Sequence, residues 1–252
     1  MQTTPSVRVQ KLTAAYGPTV ILEDVSFEVA PREVFVVLGG SGCGKSTLLK
    51  QMIGLLSPAA GEIFIEGENL NTSLGPERLA VLRKFGVMFQ SGALFGSMTL
   101  SENVELALEE FTKLPADARR EIAAMKLELV GLGDALNQLP SEVSGGMQKR
   151  AAIARAMAMD PGLLFLDEPS AGLDPVTSAD LDALILRLRD NVGVTFVVVT
   201  HELASIYAIA DRAIMLDKST KGIIAEGPPA ELRDHSENPL VRAFFQRKPQ
   251  TS

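Results

Sequence analysis

Residues 39–46 read GGSGCGKS, a full match to the spacing G-x-x-x-x-G-K-[ST]. That spacing suits phosphate. Its glycines let backbone N–H groups turn inward on an anion, Lys45 supplies a positive charge, and the Ser46 hydroxyl can reach Mg²⁺. The candidate contacts are Gly39, Gly40, Ser41, Gly42, Cys43, Gly44, Lys45, Ser46 and Thr47. Cys43 reads as a spacer whose position would make the site sensitive to thiol alkylation. Asp167 and Glu168 close the apolar run Leu163 to Leu166. One carboxylate at a buried strand end can hold Mg²⁺, and its neighbour can activate water for attack on a γ-phosphate. Gln90 and His201 likewise follow apolar runs, Phe85 to Phe89 and Thr195 to Thr200. Ligands collect at the carboxyl ends of strands in open α/β sheets, so these strand ends outline one phosphate-handling site with His201 as a γ-phosphate contact.

The elements that must position these residues are legible in outline. The phosphate loop directly follows the unalternating run Val34 to Leu38, and Thr47 to Leu56 has helical spacing, so a helix N-terminus is expected to face the anion. Val34 to Leu38, Leu163 to Leu166 and Thr195 to Thr200 are expected as strands buried on both faces, with Phe85 to Phe89 as a further strand. The fold class is therefore α/β with a mainly parallel central sheet. Val7 to Leu12, the alternating Val25, Phe27 and Val29, and Glu62 to Glu66 predict a small antiparallel layer beside it. Glu102 to Met159 is mostly helical in pattern, which places a helical subdomain at approximately 91–160 within one domain spanning 1–252. Pro239 to Lys248 carries a short apolar face (Leu240, Val241, Phe244, Phe245) expected to pack on the body.

Composition narrows the function. A net charge of -7 argues against a broad grip on nucleic acid, which rests on surplus Lys and Arg. The single cysteine cannot form an internal disulfide, and the opening MQTTPSVRVQ lacks the basic start and apolar run of a signal peptide, so a cytosolic chain is expected. No apolar run approaches the roughly 20 residues that span a bilayer, so any membrane role must go through a partner.

Val143 to Arg155 reads VSGGMQKRAAIAR, in which Ser144 can cap a helix whose N-terminus, flanked by Gly145 and Gly146, offers bare N–H groups to an anion. This run resembles the signature sequence of ATP-binding cassette (ABC) ATPases, and it precedes the paired acids and SAGLD (Ser170 to Asp174) in the order that family uses. The resemblance implies ATP and Mg²⁺ as cofactors and a P-loop NTPase fold. It also implies a head-to-tail pair of subunits, each presenting Ser144, Gly145 and Gly146 to the other's nucleotide, with Asp174 contacting the opposite site. It implies Glu168 as general base, Ser46 and Asp167 at the metal, and Gln90 as the residue sensing both the metal and the membrane partner. Tyr16, in AAYG, resembles the aromatic that stacks on adenine; the other reading is an ordinary loop aromatic. Met147 stands where the common signature has Gln, which points to a subfamily.

FGVMFQSGALFGSMTLSENV together with SGGMQKRAA resembles the ATPases of bacterial Mla-type phospholipid transporters. That resemblance implies a membrane-spanning permease, an MCE-family substrate-binding protein, and a peripheral place on the cytoplasmic face of the inner membrane. Ala93, Leu94, Phe95 and Met98 either form a cleft for a permease helix or are buried in the subunit's own core. The competing expectations are an importer of a polar solute, a soluble cassette ATPase, and an unrelated P-loop kinase or GTPase. The signature run, His201 and the lack of an N-K-x-D motif weigh against the last.

Overall fold

The structure is a computed structural model and describes residues 4–246. Strands β1 (Val7–Tyr16), β2 (Thr19–Val29) and β3 (Val34–Gly39) open the chain, followed by helix α1 (Lys45–Met52) and strands β4 (Ala60–Ile65) and β5 (Glu68–Asn69). Helix α2 (Gly75–Leu82) and strand β6 (Phe85–Met88) lead to three helices with no strand among them, α3 (Leu100–Phe111), α4 (Ala116–Leu129) and α5 (Gly145–Ala156). The remainder runs β7 (Leu163–Asp167), α6 (Pro175–Arg187), β8 (Thr195–Val199), α7 (Leu203–Ile209), β9 (Arg212–Asp217), β10 (Gly222–Gly227), α8 (Pro229–His235) and α9 (Pro239–Phe245).

Two sheets result. One is antiparallel, in the order β2-β1-β4-β5; the other runs β10-β9-β3-β8-β7-β6 and is parallel except for β10. Every residue of β3 is buried. Val34, Val36 and Leu38 enter one core with α3 to α6, while Phe35 and Val37 enter a second core shared with the antiparallel sheet and α1. A strand whose alternate side chains enter two cores needs apolar residues throughout, which is why β3, β7 and β8 lack alternation.

β1 runs on to Tyr16, past the expected end at Leu12. The pairing register shifts on both sides of Leu12, and Lys11 has φ 48, so the apolar alternation changes phase inside one strand. Helix α1 stops short of the expected Leu56, because the N–H groups of Leu55 and Leu56 fold back on the Lys50 carbonyl (2.8 and 3.1 Å). Helix α5 lies hard against β6: a Cβ on Gly86 would come 1.9 Å from the Ala156 carbonyl oxygen. In α9, Val241 and Phe245 are buried, and the Phe245 ring lies 5.9 Å from that of Tyr207. The expected continuation of this helix to Lys248 lies outside the described residues.

Candidate active site

Sheet order, not chain order, gathers the candidate residues. β3, β8, β7 and β6 are parallel neighbours, with Val37 opposite Val199, Val199 opposite Asp167, and Leu166 opposite Met88. Their C-terminal ends form one row that delivers Gly39, His201, Asp167 with Glu168, and Gln90 to a single edge.

The loop after β3 is tightly folded. Gly39 has φ 148, and a Cβ there would lie 2.4 Å from the Leu216 carbonyl oxygen, so no other residue fits. The Lys45 ammonium donates to the carbonyls of Gly39 (2.8 Å) and Gly40 (3.1 Å), which holds a positive charge over the loop. No side chain caps the start of α1, which leaves its first-turn N–H groups free for an anion. Tyr16, Ile21, Gly42, Gly44, Lys45, Ser46 and Thr47 line one cavity of ≈ 220 Å³. Tyr16 is the last residue of β1 rather than part of the loop after it, and half of it is exposed. The Cys43 side chain points into the core, only 2% exposed. Burial raises its thiol pKa, with Lys45 opposing. The expected sensitivity to alkylation is corrected accordingly, since a shielded and protonated thiol is a poor nucleophile.

At the end of β7, Glu168 is buried and holds a left-handed backbone conformation (φ 46), a strained state for a non-glycine residue. Its N–H donates to the Val199 carbonyl at 2.8 Å. One carboxylate oxygen, Oε1, lies 2.7 Å from Nδ1 of His201; the other, Oε2, is buried without a partner. Burial raises the Asp167 carboxyl pKa, Glu168 raises it further, and Lys50, Lys149 and Lys45 oppose the shift. Among the described residues no group of three or more His, Cys, Asp or Glu forms a metal cage. The oxygen donor set at this edge, the Asp167 carboxylate at the strand end and the Ser46 hydroxyl in the phosphate loop, nevertheless fits Mg²⁺, a hard ion usually held by one or two carboxylates together with phosphate oxygens and water.

The signature residues stand apart from this cavity. Ser144 caps α5, its Oγ accepting from the Met147 N–H at 3.2 Å. Ser144 and Gly146 line a separate cavity of ≈ 250 Å³ with Arg150, Thr177, Asp180, Leu181 and Arg187. Asp174 caps α6, accepting from the N–H groups of Val176 (3.0 Å) and Thr177 (3.1 Å). Ser144, Gly145, Gly146 and Asp174 are all absent from the lining of the Tyr16–Lys45 cavity.

Lys149 is a polar residue near the site that sequence reading passed over. It is 9% exposed, and its ammonium donates to the Gln90 carbonyl. The available signal was a charge on the apolar stripe of α5, in step with Ala152, Ile153 and Ala156. The apolar residues after Gln90 divide between the two expected fates. Phe95 lines a cleft of ≈ 510 Å³ with Leu79, Leu82, Phe111 and Arg155, whereas Leu94 packs against the chain's own core. Ala93 and Met98 do not line that cleft.

Comparison with known proteins identifies the family. A family profile described as ABC transporter matches residues 22–171. The chain is 41% identical over 240 residues to the "Probable ribonucleotide transport ATP-binding protein mkl" of Mycobacterium leprae, covering 95% of this chain and 68% of that protein. It is also 41% identical over 229 residues to the "Intermembrane phospholipid transport system ATP-binding protein MlaF" of Escherichia coli K12, covering 91% of this chain and 84% of that one. Among solved structures, cbiO1 from Clostridium perfringens, part of the ABC transporter complex cbiONQ, superposes with a TM-score of 0.84 at 27% identity, covering 92% of each chain. The ATP-binding cassette MJ0796, a dimer bound to ADP and Pi, superposes with a TM-score of 0.78 at 31% identity, covering 88% of this chain and 98% of that one. A phosphate loop and paired acids at one sheet edge, a capped signature helix elsewhere on the chain, and similarity over nearly the whole chain lead to one conclusion: this chain belongs to the ABC transporter family, as an ATP-hydrolysing cassette.

Proposed function

We propose that two copies of this chain hydrolyse ATP at shared sites and thereby drive phospholipid transport through a membrane-spanning partner. The observation that carries the dimer is the division of the site. The Tyr16–Lys45 cavity and the Ser144 helix start lie in different places on one chain, so a second copy is needed to bring a signature onto the nucleotide. The dimeric state of MJ0796 supports the same reading.

In this proposal Tyr16 stacks on adenine, the N–H groups of Gly39 to Thr47 and the Lys45 ammonium hold the phosphates, and Ser144, Gly145, Gly146 and Asp174 act from the opposite copy. Ser46, Asp167 and Gln90 would hold Mg²⁺, which supplies charge neutralisation on the phosphate oxygens. Glu168 Oε2, buried and unpaired, takes the proton of the attacking water, while His201 on Oε1 fixes the carboxylate's orientation. The helical segment 91–160 acts as the signature-bearing subdomain of a single ATPase domain.

No helix among the described residues is long and apolar enough to cross a membrane; in this proposal the transport path belongs to the partner. The apolar cleft around Phe95 is the proposed seat for one of its cytoplasmic helices. The MlaF relatives favour a phospholipid cargo; an MCE-family protein in the assembly and a peripheral place on the cytoplasmic face of the inner membrane rest on the sequence resemblance to Mla-type ATPases. The mycobacterial relatives carry a different name, ribonucleotide transport, and supply the second reading.

Purification of tagged Glu168→Gln chain with ATP from gently solubilised native membranes separates the two. A permease accompanied by an MCE-type protein and phospholipid supports the proposal. A permease without either changes the cargo, and a wholly soluble partner set sinks the transporter reading.

A further inference from the structure

Helix α5 does more than present Ser144 at its N-terminus. The ammonium of Lys149 donates to the Gln90 carbonyl. Further along the same helix, the guanidinium of Arg155 donates to the carbonyls of Gly92 (2.9 Å) and Ala93 (2.6 Å). Two cations of one helix thus hold three carbonyls of the short segment 90–93. Lys149 is buried and Arg155 half-buried, and burial lowers the pKa of each, opposed at Lys149 by the nearby Asp167 and Glu168 carboxylates. Burying a charge is costly unless it is paired, so an apolar side chain would fill either place at less cost if packing were the only requirement. The segment also holds a conformation that its own residues do not favour, since Ala93 sits at φ 51. Arg155 has a second neighbour as well: it lines the cleft that contains Phe95.

We propose that Lys149 and Arg155 are positioning residues that form a two-cation clamp, fastening segment 90–93 to helix α5 so that the two move as one body. Displacement of the Phe95 cleft then reaches Gln90 at the metal edge and Ser144 at the helix start together. The coupling half of this inference rests on the proposal that a membrane partner seats in that cleft; the clamp itself does not.

Amide hydrogen exchange on the full chain without nucleotide reads the clamp independently of transport. Lys149→Met and Arg155→Met keep much of the apolar stem and remove the charge. Each is expected to speed exchange of amides 90–98 by about 5-fold or more while β7 and β8 keep their protection, and Lys149→Arg is expected to retain the wild-type rate. Unchanged exchange at 90–98 would overturn the clamp. So would a rise spread equally over α5, β6 and β7, because that is the mark of a plain packing residue.

In the membrane complex, Lys149→Met is expected to lower kcat about 10-fold with KM for ATP held within about 2-fold, and to abolish stimulation by the partner. Equal stimulation in wild type and Lys149→Met would overturn the coupling half. A wild-type complex without partner-stimulated hydrolysis, alongside the expected exchange pattern, would overturn the transport reading and leave the clamp standing.

Discussion

Nδ1 of His201 lies 2.7 Å from Oε1 of Glu168, while Oε2 of the same carboxylate is buried without a partner. A carboxylate oxygen only accepts, so this contact needs the proton on Nδ1, and in the proposed mechanism the unpaired oxygen acts on water. The Glu168→Gln amide cannot take that proton. Turnover should fall at least ~100-fold with ATP binding retained, and ATP should trap a dimer visible by size-exclusion chromatography. Turnover close to wild type would remove Glu168 from the role of base.

On the proposed mechanism, His201→Ala leaves the base in place and removes its orienting contact. Hydrolysis should drop by ~10- to 100-fold, with nucleotide affinity within a few-fold of wild type, measured by steady-state kinetics and equilibrium binding on the same preparation. Loss of affinity as large as the loss of turnover would instead assign His201 to binding.

Lys45 makes its hydrogen bonds to Gly39 and Gly40, inside the phosphate loop. Lys45→Ala should therefore cost at least ~10-fold in ATP affinity, as expected for a charge-assisted contact, while the melting temperature stays near that of wild type. Fluorescent-nucleotide titration and a thermal melt decide between a binding loss and a folding loss.

Ser144→Arg should stop hydrolysis and leave ATP binding by the isolated subunit intact, because Ser144 lies outside the Tyr16–Lys45 cavity of its own chain. The lost cap should also destabilise the subunit by about 1 kcal/mol. Loss of ATP binding by the monomer would contradict the two-copy site.

Asp182 is buried with one carboxylate oxygen unpartnered, and burial raises its pKa against a weaker lowering by Ser205. A folded pKa above the unfolded value of about 3.9 favours the folded state fully only below that value, and the benefit is lost as pH rises through the folded pKa. At neutral pH the ionised group is therefore a penalty. Asp182→Asn should raise the melting temperature at pH 7.5, by ~2–4 °C for each kcal/mol relieved, and the gain should fade toward pH 4. A lower melting temperature at pH 7.5 would show that the carboxylate is favourably paired.

What could be read from sequence was local. A phosphate loop needs its glycines, lysine and serine in one run, a cap needs Ser144 just ahead of its helix, and a strand buried on both faces needs an unbroken apolar stretch such as Val34 to Leu38. Each of these is decided by neighbours a few residues apart, and with them came the α/β class and the family resemblance. The phase change at Lys11 hid the rest of β1 for the same reason, because a bulge breaks the alternation on which a local reading depends.

Tertiary structure decided the relationships between those pieces. Four strand ends were visible along the chain, but their order β3-β8-β7-β6 follows from backbone pairing between distant segments. Glu168 meets His201 across 33 residues and Lys149 meets the Gln90 carbonyl across 59, contacts that no periodicity encodes. Cys43 looked accessible in a glycine-rich loop and proved buried, because what covers a side chain is set by the elements folded over it. The separation of the signature helix start from the phosphate cavity likewise belongs to the packing of α5 on β6, and the proposal of a two-copy site rests on it.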